Sequence, residues 1–147
     1  MTPAEPAPRQ VAGSLREPVL WGVVVGALQA ASPLAFWWLE PATVYALGLA
    51  LIAAVYIGFA VADGRPPVIV VECVVAAVFV VLAAAGVTGS AWLLVAGFVG
   101  HGLKDLWQHR TQFVANTRWW PPFCLVVDAT AAAVIAAEIL LGGSFHH

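Results

Sequence analysis

The chain has 147 residues, 62% of them hydrophobic and only 10% charged, with a mean hydropathy of +0.92 and a net charge of −2. A soluble domain runs at about 45–50% apolar and about 25% charged residues, so an ordinary water-soluble fold is excluded and one small membrane domain is expected. Six basic residues cannot form a phosphate-tracking stripe, which excludes a nucleic-acid partner.

In chain order, "MTPAEPAPRQVAGSLRE" is rich in Pro and Ala and has no hydrophobic period, so residues 1–17 read as a disordered tail. Apolar runs follow at 18–39, 43–62, 68–85, 91–107 and 123–141, each close to the ~17–25 residues that a helix needs to cross ~30 Å of hydrocarbon. The breaks carry turn chemistry: "LEPA", "ADGRPP", "GVTGS" and "HRTQFVANTRWWPP". The predicted fold is therefore all-α: an integral membrane helical bundle of about five transmembrane helices over 18–142, with a short tail at 143–147. The first run could also be a signal peptide, but it continues through "PLAFWWL", past the small residues where cleavage would fall, and is read as a retained span.

With the N-terminus cytoplasmic, Arg9, Arg16, Arg65, Lys104, Arg110 and Arg118 all fall on or near the same side. That asymmetry fits an odd number of spans in the cell's inner (plasma) membrane. Trp37–Trp38 and Trp119–Trp120 read as interfacial aromatic belts. Gly22 and Gly26 form a GxxxG, a signal of helix packing or of a homo-oligomer contact. Cys73 and Cys124 fit neither a CxxC motif nor a disulfide framework and are read as reduced thiols.

Depth then groups the polar residues. Counting ~1.5 Å per residue from the cytoplasmic ends, Glu72 lies ~6 Å and Asp128 ~8 Å into their spans. Asp105 falls in the same half of the fourth span, with His101 one turn deeper. His101, Asp105 and Gln108 share one helix face, and His109 lies ~80° round from His101. A carboxylate or ammonium at a span's centre costs about 2.5–3.5 kcal/mol, so these groups should face inward, neutralised by protons, a cation, Lys104 or Arg65. Taken singly, Lys104 and Arg110 are expected to snorkel to the surface. Glu40 and Glu138 should be solvated at the outer boundary, and Asp63 should serve a turn.

The segments "AGFVGHGLKDLWQHR", "RWWPPFC" and "CLVVDA", with the earlier "GFAVADGR" and "VIVVEC", carry the pattern HGxxDxxxH followed by WWPPFCxxxD. This pattern resembles that of an uncharacterised family of small bacterial integral membrane proteins, over roughly residues 45–140. The resemblance implies an organised set of His, Asp, Glu and Pro-Phe-Cys positions and no particular activity.

Imidazole and carboxylates together suit zinc, iron or manganese, and HxxxD puts two ligands on one helix face. The expected metal ligands are His101, Asp105, Glu72 and Asp128, with His109 as a fifth, around one divalent ion; Glu72, Asp105 and Asp128 are the expected catalytic carboxylates. There is no HExxH, cysteine cluster or paired ExxH motif. The expected function is a metal-dependent or acid/base enzyme working on an apolar, lipid- or isoprenoid-like substrate beside membrane lipid. The alternatives are a proton- or cation-coupled carrier or channel acting as an oligomer, and an accessory subunit of a larger membrane complex with a structural polar cluster.

Overall fold

The computed structural model describes residues 14–145, which form five α-helices and, among the described residues, no strand. These are α1 Arg16–Ala35, α2 Pro41–Asp63, α3 Pro66–Thr88, α4 Trp92–Thr111 and α5 Trp120–Leu140. The tail expected at 1–17 lies outside the described residues as far as residue 13, and its last two positions already belong to α1.

Proline marks three of the starts. Pro41, Pro66 and Pro121 stand in the first turn of α2, α3 and α5, where the missing N–H has no intrahelical partner to lose. This is why α5 begins at Trp120, ahead of its apolar run. Gly64, at φ 82°, closes α2 in the left-handed conformation that costs glycine least. The first helix ends at Ala35, four residues before its apolar run does. Glu40 precedes Pro41 and is held extended (φ −60°, ψ 137°), so the chain must leave helical geometry before it. Inside α1, Pro33 cannot donate to the Gln29 carbonyl, and the Ser32 hydroxyl donates to it instead at 2.6 Å.

In the bundle, α5 lies between α1 and α4, α2 pairs with α3, and α4 also packs on α3 and reaches α2. Contact between α1 and α2 is sparse. The loops after α2 and α4 meet at one end: Arg65 donates to the Phe113 carbonyl at 2.7 Å, and Asp63 accepts from the Ala115 N–H at 2.7 Å. Asp63 thus serves the turn, and its hydrogen bonds raise the pKa of Arg65 above the ordinary guanidinium value. A surface cleft at this end is lined by Ser14, Pro18, His109 and Arg118, so the start of α1 lies there too.

Exposure is inverted relative to a water-soluble protein. Leu28, Leu34, Leu51, Val70 and Val81 are exposed, whereas Glu72, His101, Asp105, Gln108 and Asp128 are buried. This order suits a hydrocarbon surrounding, in which apolar side chains lose nothing by facing outward and polar ones must find partners inside. Four helices, α1, α2, α3 and α5, are long and apolar enough to cross a membrane. The more polar α4 packs on α5, α3 and α2 and keeps Val99, Leu103 and Trp107 exposed on its outer face. The chain therefore has the build of a multi-pass membrane protein.

Two expectations change in the folded chain, and one is narrowed. Gly22 and Gly26 are buried against α5, where a Cβ would lie 2.7 Å from the Phe123 carbonyl oxygen and 2.9 Å from Thr130 Cβ. Of the two uses expected of this stripe, it serves helix packing within the chain. Trp119 is exposed at the interface as a belt residue would be, but Trp120 turns inward between Phe59 and Phe123. Phe145, in the expected C-terminal tail, is buried beside Tyr45, whose hydroxyl donates to the Ala30 carbonyl at 2.9 Å; half-buried Glu138 lies 3.4 Å from the same hydroxyl.

Candidate metal centre

The buried positions of α4 include Leu94, Phe98, His101, Asp105 and Gln108, which recur every three or four residues and so form one stripe. That stripe faces a core divided by depth. Tyr45, Leu49, Leu94, Phe98 and Ile135 fill one apolar layer, and Tyr56, Ala60, Val68 and Val114 fill another at the basic end. The polar group lies between them. Gly102 lets α4 approach α5 there: a Cβ on it would stand 3.2 Å from Leu125 Cδ1 and 3.5 Å from Asp128 Cβ.

Across this contact His101 Nδ1 lies 2.8 Å from Asp128 Oδ2 and 3.4 Å from Asp105 Oδ2. Cys124, one turn before Asp128 on α5, joins them. Ligand atoms of His101, Asp105, Cys124 and Asp128 all lie within 4.8 Å of one another. Tyr56 of α2 orients the group by donating to Asp105 Oδ1 at 2.5 Å, and Phe79 of α3 meets the His101 ring edge-on at 5.0 Å between centroids. The four ligand residues thus come from two helices, and two more helices hold them in place.

Buried polar atoms are nearly always partnered, so orphans need an explanation. Here His101 Nε2, Asp105 Oδ2 and Asp128 Oδ1 are buried without a hydrogen-bond partner among the described residues. Three carboxylates, Glu72, Asp105 and Asp128, face one ammonium, Lys104, which leaves two negative charges unbalanced while His101 is neutral. A divalent cation would cancel that excess and would take up carboxylate lone pairs that have no donor. A tetrahedral ion with bonds of roughly 2.0–2.3 Å separates its ligand atoms by ~3.3–3.8 Å, a spacing that the observed separations of 2.8 Å, 3.4 Å and up to 4.8 Å bracket. The donor set fits such an ion.

No protein-family model, curated protein or solved structure matches the chain. The chemistry of the site must therefore carry the functional reading.

Of the ligands expected from sequence, His101, Asp105 and Asp128 come together, and two others do not. Glu72 is diverted to Lys104, whose Nζ donates to Glu72 Oε2 at 2.6 Å and sits 3.1 Å from the centroid of the Tyr56 ring. Lys104 therefore turns inward to its partner and does not snorkel. Arg65 pairs with Asp63 and plays no part in neutralising the cluster. His109 is too far round the helix: it lines the cleft with Pro18, Arg118 and Trp119. Gln108 shares the buried face, yet it organises the loop after α4, donating to the Val114 carbonyl and to Thr117 Oγ1 and accepting from the Val114 N–H. Cys124 was missed as a ligand. The available signal was its spacing, since CxxxD places a thiol and a carboxylate on one helix face just as HxxxD does for imidazole.

Proposed function

We propose that this protein holds one divalent metal ion at His101, Asp105, Cys124 and Asp128 and acts on an apolar substrate inside the membrane, with its basic end at the cytoplasmic leaflet of the plasma membrane. The observation that carries the reading is the convergence of four ligand-type side chains, buried in a bundle with an apolar exterior and retaining orphaned ligand atoms. Mixed imidazole, carboxylate and thiolate donors favour zinc or iron over manganese, which prefers an all-oxygen set. A bound ion of this kind supplies Lewis acidity to an oxygen-bearing substrate. Tyr56 fixes the Asp105 carboxylate, and the Lys104–Glu72 pair brings its own charges close to balance beside the site. An apolar chamber of about 180 Å³ touches the cluster at Cys124, which supports an apolar substrate.

The test is metal content in the full-length protein, purified in detergent without chelator. About one zinc or iron per chain is expected, lost in His101→Ala, reduced in Cys124→Ser and weakened in Asp128→Asn, which keeps a carbonyl oxygen. A folded native protein without metal would overturn the reading. A second reading, a proton-coupled carrier, would then lead, because the 2.8 Å contact of His101 with Asp128 can also hold a shared proton.

A further inference from the structure

The chamber at Cys124 does not end blindly. Its lining includes Gln29, Gly48 and Leu51, and the same three residues line a second cavity of about 250 Å³ toward Phe36 and Leu39. The two adjoin at these residues as a crevice between α1 and α2, with the Gln29 amide at the junction, packed against Gly48 in the space that a Cβ there would need. The crevice exists because α1 is drawn onto α5 through Gly22 and Gly26, leaving little contact with α2. Joined, the cavities reach the lower part of the roughly 300–1,000 Å³ range of small-molecule sites.

Among the described residues, one buried polar group at this crevice lacks a partner. Trp120 lines the inner chamber, and its indole N–H is buried with no acceptor among them. The Gln29 side chain lines both cavities. An indole nitrogen can only donate, so the complementary ligand must carry an acceptor oxygen. We infer that the α1–α2 crevice binds a single-chain amphiphile, a long-chain or isoprenoid alcohol or aldehyde, that enters sideways from the bilayer. Its oxygen accepts from Trp120 beside Cys124, and its hydrocarbon chain runs outward past Gln29. This deepens the proposed function by naming its substrate class, and it places the oxygen at the one wall that the chamber shares with the metal group.

The test uses the full-length protein in detergent and a fifteen-carbon isoprenoid alcohol with a photoreactive diazirine on its chain, its adducts mapped by peptide mass spectrometry. Adducts on Val25, Leu51 or Val55 are expected, reduced at least fivefold by excess unlabelled alcohol. Leu51→Trp, at a lipid-exposed position that tolerates bulk, should abolish them, whereas Leu28→Trp elsewhere on α1 should not. Trp120→Phe keeps an aromatic side chain and removes the donor. It should weaken binding of the alcohol about tenfold while leaving the hydrocarbon of equal length unaffected. Adducts spread evenly over exposed positions such as Val74 and Val81, without competition, would mean bulk lipid only and overturn the inference, as would a Trp120→Phe variant with unchanged affinity for the alcohol. Labelling that persists in metal-free His101→Ala supports the crevice irrespective of the metal, so the two readings fail separately.

Discussion

Lys104→Met is the sharpest probe of whether the polar groups are truly desolvated. The substitution keeps an unbranched chain over the Tyr56 ring but removes the ammonium that donates to Glu72 at 2.6 Å. The side chain of Glu72 is 1% exposed and that of Lys104 11%, so water cannot replace the lost partner. Breaking a buried pair on one side costs about 3–5 kcal/mol, against about 0.2–1 kcal/mol for an exposed pair. Loss of the cation–π contact adds roughly 1 kcal/mol. For a chain of this size each kcal/mol moves the melting temperature by roughly 2–4 °C, so a drop of about 10 °C or more is expected in differential scanning fluorimetry. Lys104→Met/Glu72→Gln, which removes both charges, should recover at least half of that loss, because the penalty lies in the stranded carboxylate and not in the missing bond. A single variant within about 2 °C of native, or a double variant no better than the single, would refute the reasoning, since either result requires a pair that is already solvated.

Tyr56→Phe strips the donor from Asp105 and should cost about 1.5–3 kcal/mol, the range for hydrogen bonds to charged groups, and weaken metal retention in dialysis against a chelator; unchanged metal retention would remove Tyr56 from the site. Gly26→Leu drives a side chain into Thr130 and Val127 and should lower stability by about 1–3 kcal/mol or more without altering the oligomeric state measured by light scattering. A dimer that becomes a monomer in this variant would show that the glycine stripe serves a second copy after all. Reporter fusions after Gly64 and after Gly143 should give opposite signals, cytoplasmic and external, as the shared end of the basic residues requires. Matching signals would reverse the five-span topology.

Composition and local periodicity alone determined the solvent, the helix count and the shared face of His101, Asp105 and Gln108. Each follows from the chain within a few turns: apolar runs long enough for hydrocarbon, prolines that can only begin helices, and a repeat of three or four residues that holds for any α-helix. Depth counting, because rise per residue is constant, grouped Glu72, Asp105 and Asp128, and all three are buried in the folded chain. Rotation was not legible. Which face of α3 or α5 meets α4 depends on how helices pack, and that depends on contacts distant in sequence, such as Gly102 against Asp128 and Gly22 and Gly26 against the Phe123–Thr130 stretch of α5. Only tertiary structure could therefore pair Glu72 with Lys104, send His109 to the outer cleft, turn Trp120 inward and add Cys124 to the metal group. In hydrocarbon a buried charge accepts whichever partner packing supplies, and the arrangement of the bundle, not spacing along the chain, selects it.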